Sequence, residues 1–166
     1  TRPPKLSLLK DAPESGTVLL SNGDMRFELR TQRTFRPTNS ADIGEAFVSL
    51  AGRREPDYVL GLFDNDDLLL SWMVLDAKFR TKKRHVRDSL SKIHIYRDGL
   101  RWNGLTAAGG YAIVPRILEP AALYASDAYR KAHNFGVLCC PLEPDDGWLC
   151  PVLDWIDLEL SKIQSA

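Results

Sequence analysis

The sequence has little that would tie the chain to a membrane, an oxidising compartment or a polyanion by bulk charge. No apolar run approaches the roughly 20 residues that a bilayer span requires, so no membrane partner is expected. The only cysteines are Cys139, Cys140 and Cys150. An odd number with two adjacent makes no disulfide framework, and without a C-x-x-C pair or a well-spaced histidine there is no zinc pattern. They read as buried free thiols in a reducing cytosol, so a cytoplasmic location is expected. Lys and Arg together number 22, matched by 22 Asp and Glu. Affinity for nucleic acid must therefore come from local patches rather than net charge. Internal repeats, low-complexity tracts, a secretory h-region and an initiator Met are all lacking. The expectation is a fragment of a longer protein, with residues 1–16 (Pro3, Pro4 and Pro13 among them) as loop or the remnant of an upstream element.

What is present is an ordinary globular composition, 44% hydrophobic and 27% charged over 166 residues, enough for a single domain spanning 1–166 with one core. Val18–Leu20 and then Met25, Phe27 and Leu29, with Asn22-Gly23 between, predict two strands around a tight turn. Phe35 to Ser40 reads as loop, and Ala46 to Leu50 as a short strand. Pro56 to Phe63 and Leu68 to Phe79 form the clearest hairpin, around Asp64-Asn65-Asp66-Asp67. Both arms are apolar on both faces, as suits a buried central pair. Beyond a basic stretch, Asp88 to Leu100 has helical periodicity. Tyr111–Val114 and Phe135–Leu142 read as strands flanking an alanine-rich helix or insertion over Glu119–His133. Leu153, Ile156, Leu160 and Ile163 mark a closing amphipathic helix. The order predicts an α/β (α+β) domain, a mixed central sheet flanked by helices.

The hairpin carries the chemistry. With Asn65-Asp66 as a two-residue turn, Asp64 faces Asp67 and Asp57 faces Val74, so Asp76 lies one diagonal step away on the same face. Lys78 joins that face by the period of two. Diagonal neighbours are roughly 7–8 Å apart at the backbone, near enough for two carboxylates to converge on one cation. Two carboxylates on an apolar face need a positive partner, and a Mg²⁺ or Mn²⁺ ion held by Asp57, Asp76 and the Ala77 carbonyl supplies one. Lys78 would orient or deprotonate a water, or stabilise charge on a phosphorus centre.

Pro56-Asp57 followed across a hairpin by Asp76-Ala77-Lys78 resembles the signature of the PD-(D/E)XK nuclease superfamily. The strand Val74 to Arg80, the helix with Lys92 four before Tyr96, and the strands ending at Val114-Pro115 and Pro141 resemble a branch of it. That branch is related to the nuclease subunit of the McrBC modification-dependent restriction system, and the resemblance runs from about Thr17 to the C-terminus. It implies a restriction-endonuclease-like core that cleaves DNA with Mg²⁺ through Asp57, Asp76 and Lys78, with Lys92 and Tyr96 supporting the site. It also implies a partner NTPase or translocase subunit and a DNA-recognition domain, and is compatible with a homodimer. The acidic helix usual before the first core strand is missing, and Glu14 and Glu28 are poor substitutes, one in a loop and one in a strand.

Each residue also has a plainer reading. Asp57, Asp76 and Lys78 could form a structural ion cluster at a hairpin end. Arg80, Lys82, Lys83, Arg84 and Arg87 are either a solvated charge run or a phosphate-tracking surface. Lys92 and Tyr96 divide between packing and site support, His94 reads as packing, Trp72 as core, and Asp64, Asp66 and Asp67 as turn chemistry. The rival functions are a non-catalytic DNA-binding or subunit-docking module, and a repair or junction-cleaving nuclease.

Overall fold

The computed structural model describes residues 7–8, 17–21, 25–38, 46–78, 83–119, 121–140 and 150–164. Among the described residues the fold is mixed α/β, with antiparallel and parallel strand pairs, a second small sheet and three α-helices. Among the described residues no helix is long and apolar enough to cross a membrane. The chain divides into two compact units, Thr1–Leu75 with Ile95–Ala108, and Asp76–His94 with Gly109–Ala166.

The first unit is built on antiparallel pairing. β1 (Ser7–Leu8), β2 (Thr17–Ser21), β3 (Arg26–Thr31), β6 (Tyr58–Phe63) and β7 (Leu69–Ala77) follow one another across the sheet. The β2–β3 pairing is as expected, while its Asn22-Gly23 turn lies outside the described residues. Within the stretch expected as loop or the remnant of an upstream element, Ser7–Leu8 pairs with β2. Phe35 to Ser40 is likewise not simply loop: β4 (Arg36–Pro37) pairs in parallel with β5 (Phe47–Ser49), and Phe35 bridges Arg54. Pro37 is tolerated because an edge position asks no ladder N–H of it. β8 (Leu100–Trp102) and β9 (Leu105–Thr106) complete the small sheet in the order β4-β5-β8-β9.

The β6–β7 hairpin forms, but two residues out of the expected register. Asp64 pairs its N–H with the Leu68 carbonyl at 3.1 Å, and Asp67 takes a left-handed φ of 61°. That places three residues in the loop instead of two. A bulge next to Leu62/Phe63 adds another, so Val59 faces Val74 and Tyr58 faces Leu75. Two one-residue shifts cancel in parity, so residues 57 and 59 keep the side of the ladder expected of them. The turn itself is aspartate chemistry, with Asp64 Oδ1 accepting from the N–H groups of Asp66 and Leu68 at 2.9 Å each.

Aromatic rings form the heart of this unit. Phe35 stacks on Trp72 at 5.8 Å and meets Phe47 edge-on at 5.2 Å, while Trp102 contacts Phe47 at 5.0 Å and Phe63 at 5.4 Å. Trp72 is fully buried, as expected of a core residue, and its Nε1–H donates to the Leu105 carbonyl at 2.9 Å.

In the second unit β10 (Gly109–Val114) pairs in parallel with β11 (Phe135–Cys139), and the connection between them carries a 3-10 turn (Ala122–Ala125) and α2 (Asp127–His133). Ser126 caps α2, accepting from Tyr129 N–H at 3.3 Å, and Asn134 ends it in the left-handed region. Gly136, at φ 152°, approaches so closely that a Cβ would sit 2.5 Å from the Tyr124 carbonyl oxygen. α1 (Lys83–Gly99) starts five residues earlier than its apolar periodicity suggests, because the basic run feeds directly into the helix. Its Val86 and Leu90 pack with Val114, Ala121 and Val137. α3 (Cys150–Gln164) is the closing helix, with Pro151 in its first turn. Its buried stripe is rotated from the expected one: Val152, Trp155 and Ile156 are buried and Leu153 is exposed.

The cysteines are free, but only partly as expected: Cys139 and Cys140 are half-buried and Cys150 is exposed. Burial raises the Cys139 thiol above its ordinary pKa, against the opposing pull of the Arg130 charge and a backbone hydrogen bond at Ile117. The thiolate is the reactive form. Iodoacetamide at pH 8 is therefore expected to label Cys150 well before Cys139, as read by peptide mass spectrometry. Equal rates would contradict the burial of Cys139.

Candidate active site

Asp76 ends the apolar run of β7 and is 0% exposed. Strand alternation and the hydrophobic neighbours Met73, Val74 and Leu75 carry it inward, and an ionised carboxylate there requires charge partners. It has two. Lys78 Nζ is 2.5 Å from Oδ2, and Lys92 Nζ is 3.3 Å from Oδ1. The Lys92 contact is a hydrogen bond, whereas Lys78 approaches off-axis, so Oδ2 receives its charge without a hydrogen bond. Lys78 is anchored by its own backbone, whose N–H donates to the Ile113 carbonyl of β10 at 2.7 Å. Lys92 reaches the carboxylate from α1, and its side chain stays 43% exposed.

The second unit thus gathers three of the expected site residues, Asp76, Lys78 and Lys92. Ala77 lies between the first two, in β7, and is exposed. Asp57 and Tyr96 belong to the first unit. Asp57 is half-buried immediately ahead of β6, and its carbonyl accepts from Gln32 N–H at 2.8 Å. Tyr96 is buried, and its hydroxyl donates to the Glu55 carbonyl at 3.4 Å. Of the basic run, Arg84 and Arg87 are exposed on α1, which begins at Lys83, while Arg80 and Lys82 lie outside the described residues. His94 packs beside Phe135 at 5.8 Å between ring centres.

Glu28 is a buried carboxylate, 2% exposed, in β3. Arg26 lies 3.6 Å from it and Arg30 pairs with it more closely. The signal was there in Arg26-x-Glu28-x-Arg30, which alternation puts on one strand face. Two guanidinium groups already engage this carboxylate.

Among the described residues no group of three or more His, Cys, Asp or Glu is arranged to hold a metal ion. Mg²⁺ asks less than that, since it takes one or two carboxylates and fills its octahedron with waters and substrate oxygens. Asp76 can give one carboxylate to such a donor set, with Oδ2, which Lys78 Nζ approaches to 2.5 Å, exchanging that contact for the ion. No family model, curated protein or solved structure matches the chain.

Proposed function

We propose that the chain is a Mg²⁺- or Mn²⁺-dependent DNA endonuclease domain, hydrolysing phosphodiesters in a cytoplasmic bacterial restriction or phage-defence system. The observation that carries this reading is the fully buried Asp76 at a strand end, with Lys78 two residues on at 2.5 Å and helix-borne Lys92 at 3.3 Å. A carboxylate beside two ammonium groups at a strand end can supply a cation-binding oxygen and positive charge for a phosphoryl centre.

In this reading Asp76, Asp57 and the Ala77 carbonyl hold the ion. When bound, that ion supplies the positive charge that polarises the phosphodiester and acidifies a water. Lys78 holds and orients the attacking water, or meets the charge that builds on the phosphoryl oxygens. Lys92 steadies Asp76 and contacts a phosphate from its exposed end, Tyr96 supports α1, and exposed Arg84 and Arg87 add non-specific, salt-sensitive attraction to DNA. Targeting falls to a partner NTPase and a recognition domain.

Plasmid cleavage in Mg²⁺ tests the reading, together with calorimetric titration of Mg²⁺ into the wild type, Asp57→Asn and Asp76→Asn. Both variants are expected to lose metal affinity and cleavage together. A non-catalytic docking module is the rival, since paired lysines also neutralise a buried structural carboxylate. It predicts no metal heat in the wild type, and an Asp57→Asn variant altered only in stability.

A further inference from the structure

Within the first unit the charged side chains are sorted by strand end. Asp64, Asp66 and Asp67 occupy the loop after β6, where Arg26 meets Asp67 at 2.9 Å. At the other end of β6, about 20 Å away by strand rise, stand Asp57 and a concentration of arginines. Gln32, left-handed at φ 48°, turns the chain off β3 there, and its N–H donates to the Asp57 carbonyl at 2.8 Å. Arg33 and Arg36 follow directly. Phe35 and Arg54 then exchange backbone hydrogen bonds of 2.8 and 3.0 Å, which brings Arg53 and Arg54 beside the same segment.

Local structure keeps the guanidinium groups of this segment toward solvent. Phe35 is fully buried, so alternation turns its neighbour Arg36 outward, and Arg36 is exposed. Arg53 follows Gly52, whose φ of 75° makes the turn, and its side chain is 71% exposed. Arg33 lies over the Phe47 ring at 4.4 Å, so its charge is held in place by the aromatic core. Arg54 is half-buried.

Among the described residues at this end, Arg33, Arg36, Arg53 and Arg54 meet two carboxylates, Glu55 and Asp57. Glu55 is already engaged, accepting from Thr34 Oγ1 at 3.2 Å and Arg53 Nη2 at 3.4 Å. The local balance is positive on a chain whose net charge is zero, and such an excess is what attracts a polyanion. The cations are also of one kind. Every basic side chain among the described residues of this unit is arginine, whose planar fork of donors matches phosphate oxygens two at a time. Carboxylates fit the same fork, but in the endonuclease reading it is a phosphodiester that lies at Asp57.

We propose that the Gln32 to Arg36 segment, with Arg53 and Arg54, is a docking surface for the phosphodiester backbone of duplex DNA. The choice of DNA over other polyanions rests on the endonuclease reading. Arg36 and Arg53 hold phosphates neighbouring the one at Asp57, which fixes the position of the duplex without reading its sequence.

The test is fluorescence anisotropy of the whole chain with a short labelled duplex, in EDTA so that no cleavage occurs, over a series of salt concentrations. Wild type is expected to bind with a linear dependence of log K on log salt. The double variant Arg36→Gln/Arg53→Gln should bind more weakly and with a slope shallower by about two, since each phosphate contact contributes about 0.9. Both side chains are exposed, and circular dichroism checks that the variant folds; Arg36→Lys/Arg53→Lys, which keeps the charge, should recover most of the slope. Absence of wild-type binding overturns the proposal, as does an unchanged slope in the glutamine variant. Displacement of the duplex by polyglutamate as readily as by unlabelled duplex also overturns it, because the surface would then be a general anion site. The two readings fail separately: a chain that binds through Arg36 and Arg53 but never cuts loses only the hydrolytic assignment, and one that cuts while the glutamine variant binds normally loses only this surface.

Discussion

Lys78→Ala is expected to slow Mg²⁺-dependent plasmid cleavage by about 10²- to 10⁴-fold, the range over which a positioned proton-transfer group acts. The loss should fall on chemistry rather than on folding. Lys78 is 18% exposed beside a fully buried carboxylate, and its removal still leaves Asp76 with Lys92 at 3.3 Å. The buried charge therefore keeps a partner, and the backbone bond from Lys78 N–H to Ile113 does not depend on the side chain. Single-turnover nicking of supercoiled plasmid measures the rate, and far-UV circular dichroism checks the fold. Lys78→Arg separates the two roles: an arginine keeps the charge but does not take a proton at accessible pH. Retained activity in Lys78→Arg points to charge stabilisation, and loss in both points to proton transfer. Wild-type cleavage by the alanine variant would end the catalytic assignment.

Gly61→Ala should be the most damaging small substitution in the first unit, costing about 3 kcal/mol, the upper end of ordinary overpacking. A Cβ there would lie 2.5 and 2.6 Å from two ring carbons of Trp102 and 2.9 Å from Phe63. The indole has nowhere to retreat, with Phe47 at 5.0 Å, Trp72 at 6.1 Å and the Arg30 guanidinium over its face at 5.5 Å. Urea denaturation would show a lower midpoint at unchanged slope. Combining the change with Trp102→Leu should recover part of the loss, because the two side chains then compete less for one space. A shift within the error of the midpoint would mean that the ring stack yields more readily than its contacts suggest.

Much of the fold was legible where a strong local rule had no competitor. The β2–β3 and β6–β7 hairpins, the Tyr111–Val114 strand and the closing helix all followed from alternation, turn residues and the 3.6 period. The failures have identifiable causes. Asn103-Gly104, with φ of 48° and 80°, is a strong two-residue hairpin signal between Trp102 and Leu105. The helical periodicity runs up to Leu100, which is already strand, and leaves this short hairpin no alternating run of its own. β1 and β4 have two residues each, too few for any periodicity to register. The onset of α1 was hidden because Lys83, Arg84 and Arg87 favour helix without marking a buried face. The stripe on α3 was misread because Leu153 looks like core, whereas Val152 and Trp155 take that place.

The candidate site was legible to a different degree. That Asp76 and Lys78 share a strand face follows from their spacing, whereas the place of Lys92 beside them comes only from the resemblance, which does not foresee its hydrogen bond to Asp76. The off-axis approach to Oδ2 depends on side-chain placement that no spacing rule conveys. The hairpin register shows how two departures from the expected turn can offset one another. The left-handed Asp67 and the bulge beside Leu62 each move the ladder by one, so the expected parity is lost at the Phe63–Leu69 pair and restored from Leu62 to Tyr58.

The division into units carries a consequence for anyone who would cut the gene. The chain passes between them three times, after Leu75, after His94 and after Ala108. No single scission releases either unit intact. A truncation at Leu75 strands Phe47, Phe63 and Trp72 without Trp102, which arrives from a later stretch of sequence. Neither half is then an independent cassette. Grafting, splitting or reporter insertion belongs at loop tips such as Asn65-Asp66 or Asn103-Gly104, where the backbone leaves and returns within the same unit.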